Sequence, residues 1–76
     1  MTIPTRVQAA RSEHGLSTRE TEVLGLLLRG RSEKAIGVRL RIAPGTVRTH
    51  VIHIYRKMGV HSRAELFAMV YPEDER

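Results

Sequence analysis

Residues 32–58, SEKAIGVRLRIAPGTVRTHVIHIYRKM, decide the fold: they read as two helices around a short turn, the second with polar residues on one face only. Ser32 suits a helix N-cap, and Ile36 and Leu40 follow at helical spacing. This first helix must stop near Arg41, because Ala43-Pro44 punctuates the chain. Proline disfavours the helical conformation in the residue before it and suits the first position of the helix that follows. The next helix is predicted to run to about Met58, with Gly59 as a natural stop. Val47, Ile54 and Met58, with His50 between them, form its inward stripe. Arg48, Thr49, Ile52, His53 and Arg56 then point away from the core. A short helix held this way on a compact scaffold has the dimensions to enter the major groove of DNA. The span reads as a helix-turn-helix with a recognition helix over about 44–58.

Upstream, Ser17-Thr18-Arg19-Glu20 is a capping box, and Leu16 before it can staple against the first turns of the helix it opens. Val23, Leu24 and Leu27 supply that helix's core face and Gly30 closes it. Gly25 within it costs about 1 kcal/mol relative to alanine, so packing must hold the helix together. Downstream, Ser62-Arg63-Ala64-Glu65 is a second capping box, opening a last helix that ends near Tyr71, before Pro72. Residues 1–15 show no sustained period and read as a flexible N-terminal arm or the remnant of a linker, with one helical turn possible over Val7 to Arg11. The expectation is an all-α, four-helix bundle-like domain over 16–71 with a central helix-turn-helix, followed by an acidic tail over 72–76.

Seventy-six residues make one small domain. A chain of this length buries about 60% of the surface its unfolded form exposes, so a few short helices around one core is the limit. The Leu26-Leu27-Leu28 run is bounded by Arg29, so no stretch reaches the length of a membrane span, and the N-terminus lacks the apolar core of a signal peptide. The absence of cysteine excludes disulfides and thiolate metal sites and fits a cytoplasmic protein.

The net charge of +5 conceals an asymmetry. Between Arg29 and Arg63 stand nine Lys or Arg and one acid, Glu33, so nine less one leaves that span at +8. The other acids sit outside it, in Glu20-Thr21-Glu22 and Glu73-Asp74-Glu75 among other positions. A basic middle is either a solvated, soluble surface or the footprint of a polyanion binder; the helix-turn-helix pattern in the same span favours nucleic acid.

Residues 16–70 as a whole resemble the LuxR/FixJ/GerE-type DNA-binding domain. The resemblance rests on Leu-Ser-Thr-Arg-Glu-Thr-Glu-Val-Leu (16–24), Gly30, Ser32 with Lys34 and Ile36, Thr-Val-Arg-Thr-His (46–50), Ile54, Arg-Lys-Met-Gly-Val (56–60) and Ser-Arg-Ala-Glu-Leu (62–66). It implies a domain whose third helix lies in the major groove of double-stranded DNA. It also implies a transcriptional regulator that dimerises by packing last helices together, with RNA polymerase as a further partner. Such domains occur free-standing or as the output piece of a larger regulator, and Met1 with a short arm suits the former while a cut piece would look the same. The chain departs from the family pattern at four places. Ala35 stands where glutamate is common, so the cap at Ser32 lacks a returning partner, and Gly37 takes the small-residue position next to it. Arg41 replaces the turn glycine, so it must adopt a left-handed conformation or reshape the turn. Ala43 replaces the usual Ser or Thr cap of the recognition helix, at a cost of about 1 kcal/mol.

By matching position, Arg48, Thr49 and Ile52 are the groove-facing residues. Arg48 has the reach for guanine edges or a phosphate, Thr49 offers a hydroxyl and a methyl, and Ile52 a surface for a thymine methyl. Two of them have a plainer alternative: Ile52 in core or protein-interface packing, Thr49 as a solvated helix position. Thr46, Lys34 and Arg56 are the phosphate candidates, Thr46 because backbone N–H groups and the helix dipole favour an anion in that first turn. Lys34 otherwise reads as a solvated charge. Lys57 reads as structural, folding back towards an acid such as Glu22.

His50 and His53 are three apart, a metal-ligand spacing, but no third ligand joins them, so neither a metal nor a cofactor is expected. His50 is expected between core and DNA backbone and His53 nearer the groove, where protonation would strengthen a phosphate contact. In the last helix Ala64, Phe67 and Ala68 are expected to line the core. Leu66, Met69, Val70 and Tyr71 would then be left partly exposed as a dimer surface, or else covered by the N-terminal arm through Ile3 and Val7.

Two rivals remain. One is the promoter-binding region of a sigma factor, which the Arg-Lys-Met-Gly-Val and Ser-Arg-Ala-Glu-Leu runs argue against. The other is a protein-interaction module that keeps the fold without specific DNA binding, a reading that Ile52 and Arg41 favour. An enzyme is disfavoured: the chain has no cysteine nucleophile, no phosphate-binding glycine loop and no paired acids beside a histidine.

Overall fold

In the computed structural model, residues 2–72 are described; Glu73 to Glu75 of the acidic tail lie outside the described residues. These residues form five helices and no strand: α1 (Ile3–His14), α2 (Thr18–Leu28), α3 (Glu33–Leu40), α4 (Pro44–Met58) and α5 (Arg63–Val70). The all-α class and the central helix-turn-helix of α3 and α4 are as the sequence predicts.

Each boundary has a local cause. Ser17 accepts a hydrogen bond from the Glu20 N–H at 3.1 Å while the Glu20 carboxylate accepts from the Ser17 N–H at 2.9 Å, closing the capping box that starts α2. At α5 the second box is only half made. Ser62 accepts from the Glu65 N–H at 3.1 Å, but the Glu65 carboxylate reaches one residue further and takes the His61 N–H at 2.8 Å. Ser32 caps α3 through the Ala35 N–H, whereas Ala43 gives α4 no side-chain cap.

The C-terminal ends of α1 to α4 share one geometry. Gly15, Gly30, Arg41 and Gly59 all have positive φ, and after each the chain turns back to bond a carbonyl of the last helical turn. At α3 the Ile42 N–H bonds the Gly37 carbonyl at 3.0 Å, with Arg41 at φ 60° and ψ 45° in between. Of the two alternatives, Arg41 takes the left-handed conformation. Gly37 is required by the same closure: a Cβ there would lie 2.9 Å from the Ile42 carbonyl oxygen and 3.5 Å from Val47.

The core is built on α2. Val23, Leu24 and Leu27 are fully buried, joined by Ile36 of α3 and by Val47, Val51, Ile54 and Met58 of α4. Val51 completes a stripe at i, i+4, i+7 and i+11, which the sequence reading had drawn without it. α4 packs on both α2 and α3, so the recognition helix is held along its whole inner face.

Two expectations are corrected. Residues 3–14 are a helix, not a flexible arm: Thr2 caps it, Pro4 sits in its first turn and Gly15 ends it. Only Val7 and Ala10 of this helix are buried, too few to write a visible period, and it is packing on α2 that holds it. The four helices expected over 16–71 are α2 to α5, and α1 adds a fifth before them. Second, Leu66 is fully buried and belongs to the core, not to a dimer surface, while Ala64 and Ala68 are exposed. The start of α5 at Arg63 sets this phase: it turns Leu66 inward and leaves Phe67, Val70 and Tyr71 half-buried beside it. α1 supplies part of their cover. The Arg6 guanidinium donates to the Val70 carbonyl at 2.7 Å and lies 4.5 Å from the centre of the Tyr71 ring.

Candidate nucleic-acid interface

α4 offers solvent one continuous face. With Val47, Val51, Ile54 and Met58 buried, the helical period turns Thr46, Arg48, Thr49, Ile52, His53 and Arg56 outward, and all six are exposed. Ile52 is 44% exposed, so it is neither core nor covered by another part of the described chain. Lys34, also exposed, borders the same shallow hollow as Pro44, which places it beside the N-terminal end of α4. All seven predicted contact residues thus stand on α4 or next to its first turn. His50 is half-buried at the edge between this face and the core.

Two side chains on this face are held in place. The Thr49 hydroxyl donates to the Gly45 carbonyl at 3.1 Å, which orients the side chain and leaves both oxygen lone pairs free to accept. The Arg48 guanidinium meets the Glu33 carboxylate at 3.0 Å, tying the recognition helix to the first turn of α3. Glu33 was not singled out from the sequence. Its signal was its isolation, the one acid among nine basic residues from 29 to 63.

Lys57 is structural, as expected, but its partner is Glu20 rather than Glu22, which pairs with Arg19 at 3.1 Å. The Lys57 ammonium donates to Glu20 at 2.8 Å and to the Gly15 carbonyl at 3.2 Å, pinning the end of α4 to the α1–α2 junction. Burial works against ionisation of Glu20, but the Lys57 hydrogen bond, the Ser17 N–H and the Lys57 charge outweigh it and hold the carboxyl below its ordinary value. His53 Nδ1 lies 3.9 Å from the other Glu20 oxygen. Among the described residues no three metal-ligating side chains come together, and no helix is long and apolar enough to cross a membrane.

Comparison with known proteins gives the same frame. The family described as bacterial regulatory proteins, luxR family, matches residues 14–70. The chain is 46% identical over 63 residues to a probable transcriptional regulatory protein NarL of Mycobacterium tuberculosis, a match covering 83% of this chain and 29% of that protein. It is 37% identical over 68 residues to the nitrate/nitrite response regulator protein NarL of Escherichia coli, covering 90% of this chain and 32% of that protein. A putative HTH-type transcriptional regulator of Mycobacterium bovis is 41% identical over 61 residues, 80% of this chain and 7% of that protein. The chain therefore spans less than a third of the length of these relatives. No solved structure matches it. A helix-turn-helix with an exposed polar recognition face, matched over residues 14–70, places this chain in the luxR family of bacterial regulatory proteins.

Proposed function

We propose that the domain binds double-stranded DNA sequence-specifically and regulates transcription, laying α4 in the major groove. The observation that carries this is the division of α4 into one face buried against α2 and α3 and one face exposed to solvent. Arg48, Thr49 and Ile52 read base edges, with His53 beside them. Lys34, Thr46 and Arg56 grip phosphates and set the register. The uncapped N-terminus of α4 supports this assignment: Pro44 has no N–H, the Thr46 N–H bonds the Ala43 carbonyl at 2.9 Å, and the Gly45 N–H takes no side-chain cap and suits a phosphate oxygen.

Glu33 steers Arg48. An acid fixing an arginine in the groove orients the guanidinium for two-pronged contact with one base and repels phosphates from the same spot. The domain acts as a homodimer on a two-fold site, with half-sites about one helical turn apart. With Leu66 in the core, the contact falls to Met69, 42% exposed, and to Ala64 and Ala68, with Val70 and Tyr71 at its edge. Its action is in the cytoplasm, on the access or recruitment of RNA polymerase.

The test is fluorescence anisotropy with enriched genomic fragments over a salt series, comparing the wild type with Arg48→Ala and Thr49→Ala. Selective binding that falls steeply with salt is expected. Each variant should lose about 1–3 kcal/mol of discrimination at the base pair it reads. Weak, sequence-indifferent binding unchanged by both substitutions would overturn the assignment of α4.

A further inference from the structure

A second surface lies away from the recognition helix. A groove of about 560 Å³ runs between α1, α2 and α3, and none of its lining residues belongs to α4. It follows Thr18, Glu22, Gly25 and Arg29, the face of α2 opposite the buried Leu24 and Leu27. Arg11, Arg29, Arg31 and Arg39 surround it, one from α1, two from the end of α2 and the turn after it, one from α3. None of these four forms a salt bridge among the described residues, and Glu22, the one acid that lines the groove, is engaged by Arg19.

Two of the guanidinium groups are already positioned. Arg29 donates to the Gly25 carbonyl and Arg11 to the Thr18 hydroxyl, each at 3.1 Å. The floor is apolar, made by Val7, Leu26 and Leu40. It continues through Leu26, Arg31 and Arg39 into a neighbouring hollow that exposes Ala35 and Val38. Val38, at 73%, is the most exposed large hydrophobic residue among those described.

We infer that this surface docks an acidic amphipathic helix of a partner protein. Four cations without counter-charges ask for carboxylates, and a floor bearing Leu26 and Val38 asks for aliphatic side chains on the same ligand. A DNA backbone supplies the first and not the second, since phosphates and sugars leave the apolar floor without a match. A helix with leucines on one side and glutamates flanking them supplies both, in the helix-in-groove mode. Arginine suits such a site because its rigid fork grips carboxylates in pairs and loses little freedom when already held. α1 is indispensable here, because it supplies Val7 to the floor and Arg11 to the rim. The inference does not depend on the DNA reading of α4.

The probe is a synthetic amphipathic peptide of about 18 residues, leucines at i, i+4 and i+7 and glutamates beside them, spanning about 27 Å as a helix. The control is the same composition scrambled so that no apolar face forms. Titrated into the isotopically labelled domain, the amphipathic peptide should shift the amides of Leu26, Arg31, Val38 and Arg39 and leave those of Arg48 to Arg56 in place. The double variant Arg31→Glu with Arg39→Glu should weaken peptide binding at least about tenfold, as expected for charge pairs at an interface. Val38→Ser should also weaken it and, because it leaves the charge unchanged, should not change duplex binding by more than about twofold. The charge reversal shifts the net charge by four units and lowers duplex affinity through the field of the whole domain. Equal binding of the scrambled peptide, or shifts centred on α4, would sink the proposal. A Val38→Ser variant that keeps its melting temperature and loses duplex affinity would instead assign the surface to DNA.

Discussion

Arg41 holds a conformation that its side chain opposes. At φ 60° it closes α3 and sets the angle at which α4 leaves, the task that glycine performs at the ends of α1 and α4. A Cβ in the left-handed region costs about 1–2 kcal/mol, part of which glycine gives back through its greater freedom in the unfolded chain. Arg41→Gly is therefore expected to stabilise the domain by about 1 kcal/mol, raising the midpoint of thermal unfolding by about 4–8 °C. Thermal melts monitored by circular dichroism check this; an unchanged or lowered midpoint would show that the exposed arginine makes a compensating contact. The conflict was legible in the sequence, because Ala43-Pro44 forces the stop and leaves Arg41 at the position where the chain must reverse. Its resolution was not. Whether the turn or the residue gives way depends on Gly37, whose missing Cβ lets the Ile42 carbonyl close onto α3.

Among the elements, α1 shows how a helix can be hidden from its own sequence. Its start and stop signals are present in Thr2, Pro4 and Gly15, yet its apolar residues are sparse. What orders it is partners far along the chain. Val7 sits over Gly25, where an added Cβ would lie 3.9 Å from it, and Arg6 reaches the Val70 carbonyl and the Tyr71 ring. Deleting residues 1–14 should cost about 2–4 kcal/mol, from the burial of Val7 and the stacking of Arg6. It should also increase self-association, because Val70 and Tyr71 lose part of their cover. Urea melts and sedimentation velocity read the two effects. A truncated domain of unchanged stability would show that α1 contributes nothing to the fold.

At the scale of the molecule, the Glu20–Lys57 pair joins the two ends of the design. It links the capping box that starts α2 to the last turn of α4, and through Gly15 to the end of α1. Glu20 has its pKa lowered in the folded state, so the folded form favours the ionised carboxylate. Its contribution to stability is present above the unfolded value, about 4.3, and is lost as pH falls through the lower folded value. Stability is expected to decline as pH falls below about 4.3, and Lys57→Met should diminish the contribution of this site to that decline. Urea unfolding at a series of pH values tests it; a Lys57→Met profile parallel to that of the wild type would deny the pair its role. The pair also bears on the proposed interface, since it fixes the end of the helix that carries Ile52, His53 and Arg56.

The sequence by itself determined the helix-turn-helix, the capping of α2, α3 and α5, and the outward face of α4. These rest on signals confined to a few consecutive residues: a cap, a proline, a helical period. The exposed positions Thr46, Arg48, Thr49, Ile52, His53 and Arg56 follow from that period once Val47, Ile54 and Met58 are set inward. Only the tertiary structure decided which acid meets Lys57, that Glu33 holds Arg48, that Leu66 is core, and that residues 3–14 are a helix. Each of these depends on the distance between elements separated in sequence. Local pattern does not carry that distance, because burial and pairing become defined only when the helices pack.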